Sequence, residues 1–151
     1  MRTIAPDRGA FLVRLVPLAV FAAGVFSALA APKTPLTALA ALATALGEND
    51  PDGALEIFDS KMASYGQIEQ KIEAVTAQDD ISCSIEVVTD TEVNGVHKLD
   101  LDWLMHLKSQ GAAAQVEERR ERVQVEMRQI KDVWKITSIA PLRVLDPIEI
   151  K

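Results

Sequence analysis

Two periods divide the chain. Between residues 34 and 78 apolar side chains recur every third or fourth position, as in helices buried along one face. From 81 to 139 they recur every second position, as in half-buried strands. Thr34-Pro35 opens a first helix, with Thr34 as N-cap and Pro35 at the first helical position. Leu36, Leu39, Leu42, Ala43 and Leu46 follow, and Gly47 closes it. Asp50-Pro51 repeats the start signal, and Leu55, Phe58 and Met62 predict a second amphipathic helix reaching about Ala63. Ser64-Tyr65-Gly66 breaks the pattern, and a third helix over 67–77 buries Ile68, Ile72 and Val75.

In the second half, Ile81, Cys83, Ile85 and Val87 share one face of a strand, and Leu99, Leu101, Trp103, Met105 and Leu107 share one face of the next. Asn94-Gly95 between them is a strong hairpin signal, yet a two-residue turn alone would set those rows on opposite faces. Burying each row is worth several kcal/mol at ~25 cal/mol per Å², more than a turn preference. The expected resolution is a three-residue loop or a bulge near Val93 to Val96, placing Val87 beside Trp103 and Ile85 beside Met105. Matching Lys108 to Val116 then sets Leu101 beside Val123 and Leu99 beside Val125. A tight turn at Lys131-Asp132 brings Gln129 to Trp134, Met127 to Ile136 and Val125 to Ser138. Pro141 and Pro147 end regular pairing, leaving 141–151 as a tail able to run along a sheet edge. The prediction is an α+β fold: N-terminal helices packed on one face of a curved, four-stranded antiparallel sheet.

Charge changes the picture at the N-terminus. Arg2, Arg8 and Arg14 stand against a single acid, Asp7, and Leu15 to Pro32 then runs uncharged and closes on Ala28-Leu29-Ala30, a small-x-small cleavage pattern. The expectation is a signal peptide over 1–30, cleaved after Ala30, a linker over 31–33 and a periplasmic or secreted product. The alternative is that residues 15–32 stay as an inner-membrane anchor, against which Pro17, Gly24 and the many alanines argue. Without residues 1–30 the chain holds 13 basic and 21 acidic side chains, a net charge of −8. That balance argues against nucleic acid and against an anionic membrane surface as partners. Cys83 is the single cysteine, so no intrachain disulfide forms, and its neighbours in ISCSIEV supply no cation to activate a thiol.

A Pro-capped helix, the acidic Asn49-Asp50-Pro51 link, a short helix pair and long strands ending on Val133-Trp134-Lys135-Ile136 resemble the nuclear transport factor two-like superfamily. Its bacterial branches include SnoaL-like polyketide cyclases and ketosteroid-isomerase-like proteins. The resemblance spans 34–140 and implies a cone-shaped, cystatin-like α+β barrel enclosing a pocket, commonly as a dimer. It implies no single activity, because isomerases, cyclases, dehydratases and plain binding modules share the fold. Ketosteroid-isomerase-like members use an inward Asp with a Tyr and a second acid. Here Tyr65 is the only tyrosine, and Asp90 is the only strand acid besides Glu121 that a bulge would turn inward, which departs from that pattern.

The inner row turns polar in one place, where the register sets Glu121 opposite Trp103 and Arg119 opposite Met105. The plain account is a solvated end of the sheet. The sharper one is a pocket mouth in which Arg119 binds a carboxylate or Glu121 acts as base, with Trp103, Met105, Tyr65 and Trp134 as lining. Asp100, Asp102 and His106 have spacing suited to a shared metal, but pairing sets Asp102 against Arg122 and His106 against Glu118 as ordinary cross-strand charges. His97 is expected at the surface of the hairpin turn. Arg119-Arg120-x-Arg122 is interleaved with Glu117, Glu118 and Glu121 and reads as a solvated strand. No metal or cofactor site is expected. Val88, Leu104, Ile130, Val133 and Ile139 on the outer face offer a homodimer surface. The functional expectation is an exported, non-catalytic domain that binds a small apolar or amphipathic ligand or a protein partner. The alternatives are a small-molecule isomerase or cyclase and a membrane-anchored periplasmic interaction domain.

Overall fold

The computed structural model describes residues 34–149; the expected signal peptide, linker and anchor within 1–33 lie outside the described residues. Three helices, α1 (Pro35–Gly47), α2 (Pro51–Leu55) and α3 (Tyr65–Gln78), precede four strands, β1 (Asp79–Val93), β2 (Val96–Ser109), β3 (Val116–Ile130) and β4 (Val133–Ala140). The strands form one antiparallel meander in the order β1-β2-β3-β4, and a short 3₁₀ helix, Leu142–Leu145, follows. The α+β class is as predicted, and the layout fits the nuclear transport factor two-like cone. Among the described residues no helix is long and apolar enough to cross a membrane.

Thr34 caps α1 as predicted: its Oγ1 accepts from the Thr37 amide at 3.1 Å while Thr37 Oγ1 accepts from the Thr34 amide at 3.0 Å. The buried stripe is Ala38, Leu39, Leu42, Ala45 and Leu46, so Leu36, expected inward, is instead 59% exposed in the first turn. The second helix is much shorter than the pattern predicts. After Leu55 the chain leaves the helix and runs beside β4, where Ile136 N–H donates to Ile57 O at 2.7 Å and Asp59 N–H donates to Ile136 O at 2.8 Å. The free edge of β4 offers unpaired backbone groups, and satisfying them outweighs continuing a helix through Ile57 and Phe58. Asn49, at φ 53°, turns the chain between α1 and α2, and its side-chain amide donates to Thr76 O and Asp79 O, tying the helices to the start of the sheet.

The β2–β3 ladder follows the predicted register throughout, with Leu101 beside Val123 and Leu99 beside Val125. The conflict at the first hairpin is resolved differently from the expectation. The two-residue Asn94-Gly95 turn is kept, with both φ values positive, and the extra residue sits deeper in β1 at Val88. Ile85 therefore pairs with Trp103, Cys83 with Met105 and Val87 with Leu101, rather than Val87 with Trp103. An exposed bulge at Val88 costs less than a distorted turn, because Asn-Gly already has the backbone preference the turn demands. A second irregularity leaves Thr137 unopposed, so Val125 pairs with Ile139 rather than Ser138. Ile139, expected on the outer face, is thereby turned into the core, where it is 6% exposed.

Trp103, Met105, Leu101, Val123, Met127 and Ile136 are fully buried against α1, α3 and the chain around Phe58. The second hairpin turn holds Lys131 and Asp132 at φ 52° and 64°, a conformation that costs L-residues with side chains roughly 1–2 kcal/mol each. Replacing Lys131-Asp132 by Asn-Gly is therefore expected to raise stability by about 1 kcal/mol or more. Urea denaturation checks it; an unchanged or lower midpoint would refute the strain.

Candidate functional site

The concave face becomes polar at two ends. At one, β3 presents Arg119 and Glu121 in the positions predicted, opposite Met105 and Trp103. Neither side chain faces open water. Arg119 donates through Nε to Glu117 at 2.8 Å and through one terminal nitrogen to three backbone carbonyls, Arg143 O at 3.3 Å, Val144 O at 3.2 Å and Asp146 O at 2.5 Å. Glu121 accepts a two-pronged pair from Arg143, with Nε and a terminal nitrogen each at 2.9 Å from separate carboxylate oxygens. That pairing also pushes the Arg143 guanidinium above its ordinary pKa. The segment after β4 is thus not a strand on the sheet edge: it folds back across this end, burying Val144, Leu145 and Ile148. A cleft of about 530 Å³ remains beside it, lined by Gln115, Glu117, Arg119, Glu121 and residues 146–149.

The other proposed lining residues do not gather there. Trp103 and Met105 are fully buried, and the indole N–H of Trp103 has no hydrogen-bond acceptor in good geometry. Trp134 pairs with Gln129, eight residues along β3 from Glu121 and so about 26 Å away at ~3.3 Å per residue. Tyr65, at the start of α3, lines a separate cleft of about 380 Å³ with Phe58, Glu69 and Lys135.

At the second polar end the sequence pointed to Asp90 as an acid that a bulge would turn inward, as it is, but not to Glu92 or His97 beside it. The bulge at Val88 turns Asp90 and Glu92 to the inner face, where Glu92 pairs with His97. His97 Nδ1 lies 2.8 Å from Asp90 Oδ1 and its Nε2 lies 3.6 Å from Glu92, while the ring meets Trp134 edge-on at 5.0 Å. His97 had been expected at the surface; its side chain is only 15% exposed. The signal was available, since His97 has the same parity as Leu99 and Leu101.

On the outer face Asp100, Asp102 and His106 take separate partners. Thr89 Oγ1 donates to Asp100 at 2.8 Å, and His106 lies 3.6 Å from Glu118. Asp102 bonds diagonally to Arg120, not to the directly paired Arg122, and this holds its carboxyl below the usual range. Among the described residues no group of three or more His, Cys, Asp or Glu is placed to hold a metal ion. Cys83 is half-buried, and burial pushes its thiol up to about 12 despite the nearby Trp103 indole.

No family model and no curated protein matches the sequence. Solved structures do. A conserved protein from Planctomyces limnophilus superposes with a TM-score of 0.61 at 11% identity, covering 69% of this chain and 88% of that one. A protein of unknown function from Mycobacterium tuberculosis gives 0.57 at 10% identity, covering 69% and 66%. A SEC-C motif protein from Rhodopseudomonas palustris gives 0.52 at 12% identity, covering 79% and 82%. The likeness is one of fold.

Two outcomes follow from these contacts. Arg119→Met should cost about 3 kcal/mol, since it strips a donor from Glu117 and from three carbonyls, whereas Glu121→Gln should cost less than about 1 kcal/mol as a partly solvated pair. Chemical denaturation of both variants measures the contrast, and equal losses would contradict it. Cys83 at pH 8 should react with a disulfide reagent about a hundredfold or more slowly in the native chain than in urea, because a thiol lifted from 9.0 to about 12 holds almost no thiolate there. Comparable rates would show the thiol to be open.

Proposed function

We propose that the chain is an exported, non-catalytic binding domain whose target is a protein partner or a small apolar or amphipathic ligand. The observation that supports it is the state of the Arg119–Glu121 end. Both charges are engaged by the segment 141–149, and Trp103 and Met105 beneath them are sealed in the core. A base that is to take a proton from a substrate needs access to it, and Glu121 already has both oxygens on Arg143. Binding across the cleft beside it needs only surface. Export rests on the charge pattern of residues 1–30, and the mature chain then begins at Ala31.

A second reading, a small-molecule enzyme of the isomerase or cyclase type, is favoured by one contact elsewhere. Asp90 orients His97 at 2.8 Å beside the Trp134 ring, an arrangement suited to general-base chemistry with His97 rather than Glu121 as base. Homodimerisation through the convex face belongs to the first reading. Leu104 and Ile130 stand about 33 Å apart along the sheet, ten residues at ~3.3 Å each, so such an interface centres on Leu104, beside the Asp102–Arg120 pair.

Native mass spectrometry of the purified chain is expected to show a retained ligand or partner, and an N-terminal mass beginning at Ala31. A start at Met1 in membrane fractions would favour the anchored alternative. Light scattering should report a dimer that Leu104→Glu converts to monomer; a dimer surviving that change would rule out this face. Turnover of an enolisable ketone abolished by His97→Gln would move the conclusion to the enzyme.

A further inference from the structure

The segment 141–149 is held by groups from three elements, β3, α3 and β1. From β3, Arg119 clamps the carbonyls of Arg143, Val144 and Asp146. From α3, Gln78 Nε2 at its end donates to Ile148 O at 2.6 Å, and Lys71 at its middle pairs with Asp146. From the start of β1, Asp79 Oδ2 accepts from Ile148 N–H at 3.0 Å. Between these polar contacts Val144, Leu145 and Ile148 sit in apolar seats, and Arg143 fills a charge socket at Glu121. Main-chain clamps joined to side-chain seats are how proteins recognise peptide segments: the clamps supply affinity and the seats supply selectivity.

One acceptor in this groove is unmet. Asp79 is fully buried, yet its Oδ1 has no hydrogen-bond partner. A buried carboxylate oxygen without a donor is costly, so the resident segment satisfies the groove incompletely. The cleft of about 530 Å³ that continues past Gln115 and Glu117 leaves room along the same line.

We propose that this groove is a peptide-binding site, occupied in cis by residues 141–149 and taken in trans by a segment of a partner protein that adopts the same short 3₁₀ turn. The partner segment carries a basic residue for Glu121, two adjoining apolar residues, a third apolar residue three positions on, and a donor that reaches Asp79 Oδ1. The inference rests on the binding-domain reading and names the class of partner for it.

Arg143 is exposed, with 67% of its side chain open, so Arg143→Glu loosens the resident segment without entering the core. A fluorescent peptide of residues 141–149, titrated by anisotropy into the full chain, should bind the R143E protein at least tenfold more tightly than the unaltered one. Glu121→Arg should reverse the preference, taking a peptide that carries Arg143→Glu over the unaltered peptide. Equal weak binding by both proteins, or indifference to the charge exchange, overturns the proposal. Should R143E lose the circular dichroism spectrum of the parent, hydrogen exchange on the parent decides. An Ile148 amide exchanging at least a hundredfold faster than that of Leu101 supports a separable occupant, and exchange in step with Leu101 overturns it. A small molecule retained in native mass spectrometry, with no peptide binding, overturns the peptide site and leaves the binding-domain reading intact. Absence of both overturns the two together.

Discussion

The structure depends on the parity of its strands. Side chains alternate strictly across a sheet, so a one-residue slip moves an entire apolar row from core to water. The β2–β3 ladder is the fixed reference, because Leu99, Leu101, Val123 and Val125 fall on one face without adjustment. The flanking strands must conform to it, and each does so by absorbing one residue, at Val88 in β1 and at Thr137 in β4. Those two bulges do more than preserve the core. The first swings Asp90 and Glu92 inward toward His97, and the second brings Ile139 beneath the sheet and aims the chain at Pro141.

The two polar ends of the concave face follow from that geometry. The strands are longer than the helices covering them, so the inner face runs out from under its apolar cover at both extremities. At the hairpin end the uncovered positions hold an imidazole between two carboxylates, packed on Trp134. At the opposite end they hold Arg119 and Glu121, and the segment after β4 supplies the missing cover. Its Val144, Leu145 and Ile148 extend the core while its backbone carbonyls and Arg143 satisfy the two charges.

This arrangement explains why the opening at the Arg119–Glu121 end is a cleft beside the segment 141–149 and does not reach into the core. The concave interior is filled by Trp103, Met105 and their neighbours, and the segment 141–149 narrows what remains to the cleft beside it. A cover built from latches at Glu121, Lys71 and Asp79 is a natural point of exchange, since each latch recognises a chemical group and not a position in the chain.

Much of this was legible in the residues alone. Helix starts at Thr34-Pro35 and Asp50-Pro51, the α+β order and the central register are local or pairwise facts, encoded in capping chemistry and in a period of two. The inner placement of Arg119 and Glu121 followed from the same register. Tertiary structure decided what no local signal carries. Whether a helix continues past Leu55 depended on an unpaired strand edge contributed by Ile136, distant in the sequence. Where the parity conflict was absorbed depended on the relative cost of bending a turn or a strand. Above all, the partners of Arg119 and Glu121 come from a segment whose Pro141 and Pro147 only announce that regular pairing stops. Hydrophobic pattern determines which face a residue occupies; only the folded chain determines what meets it there.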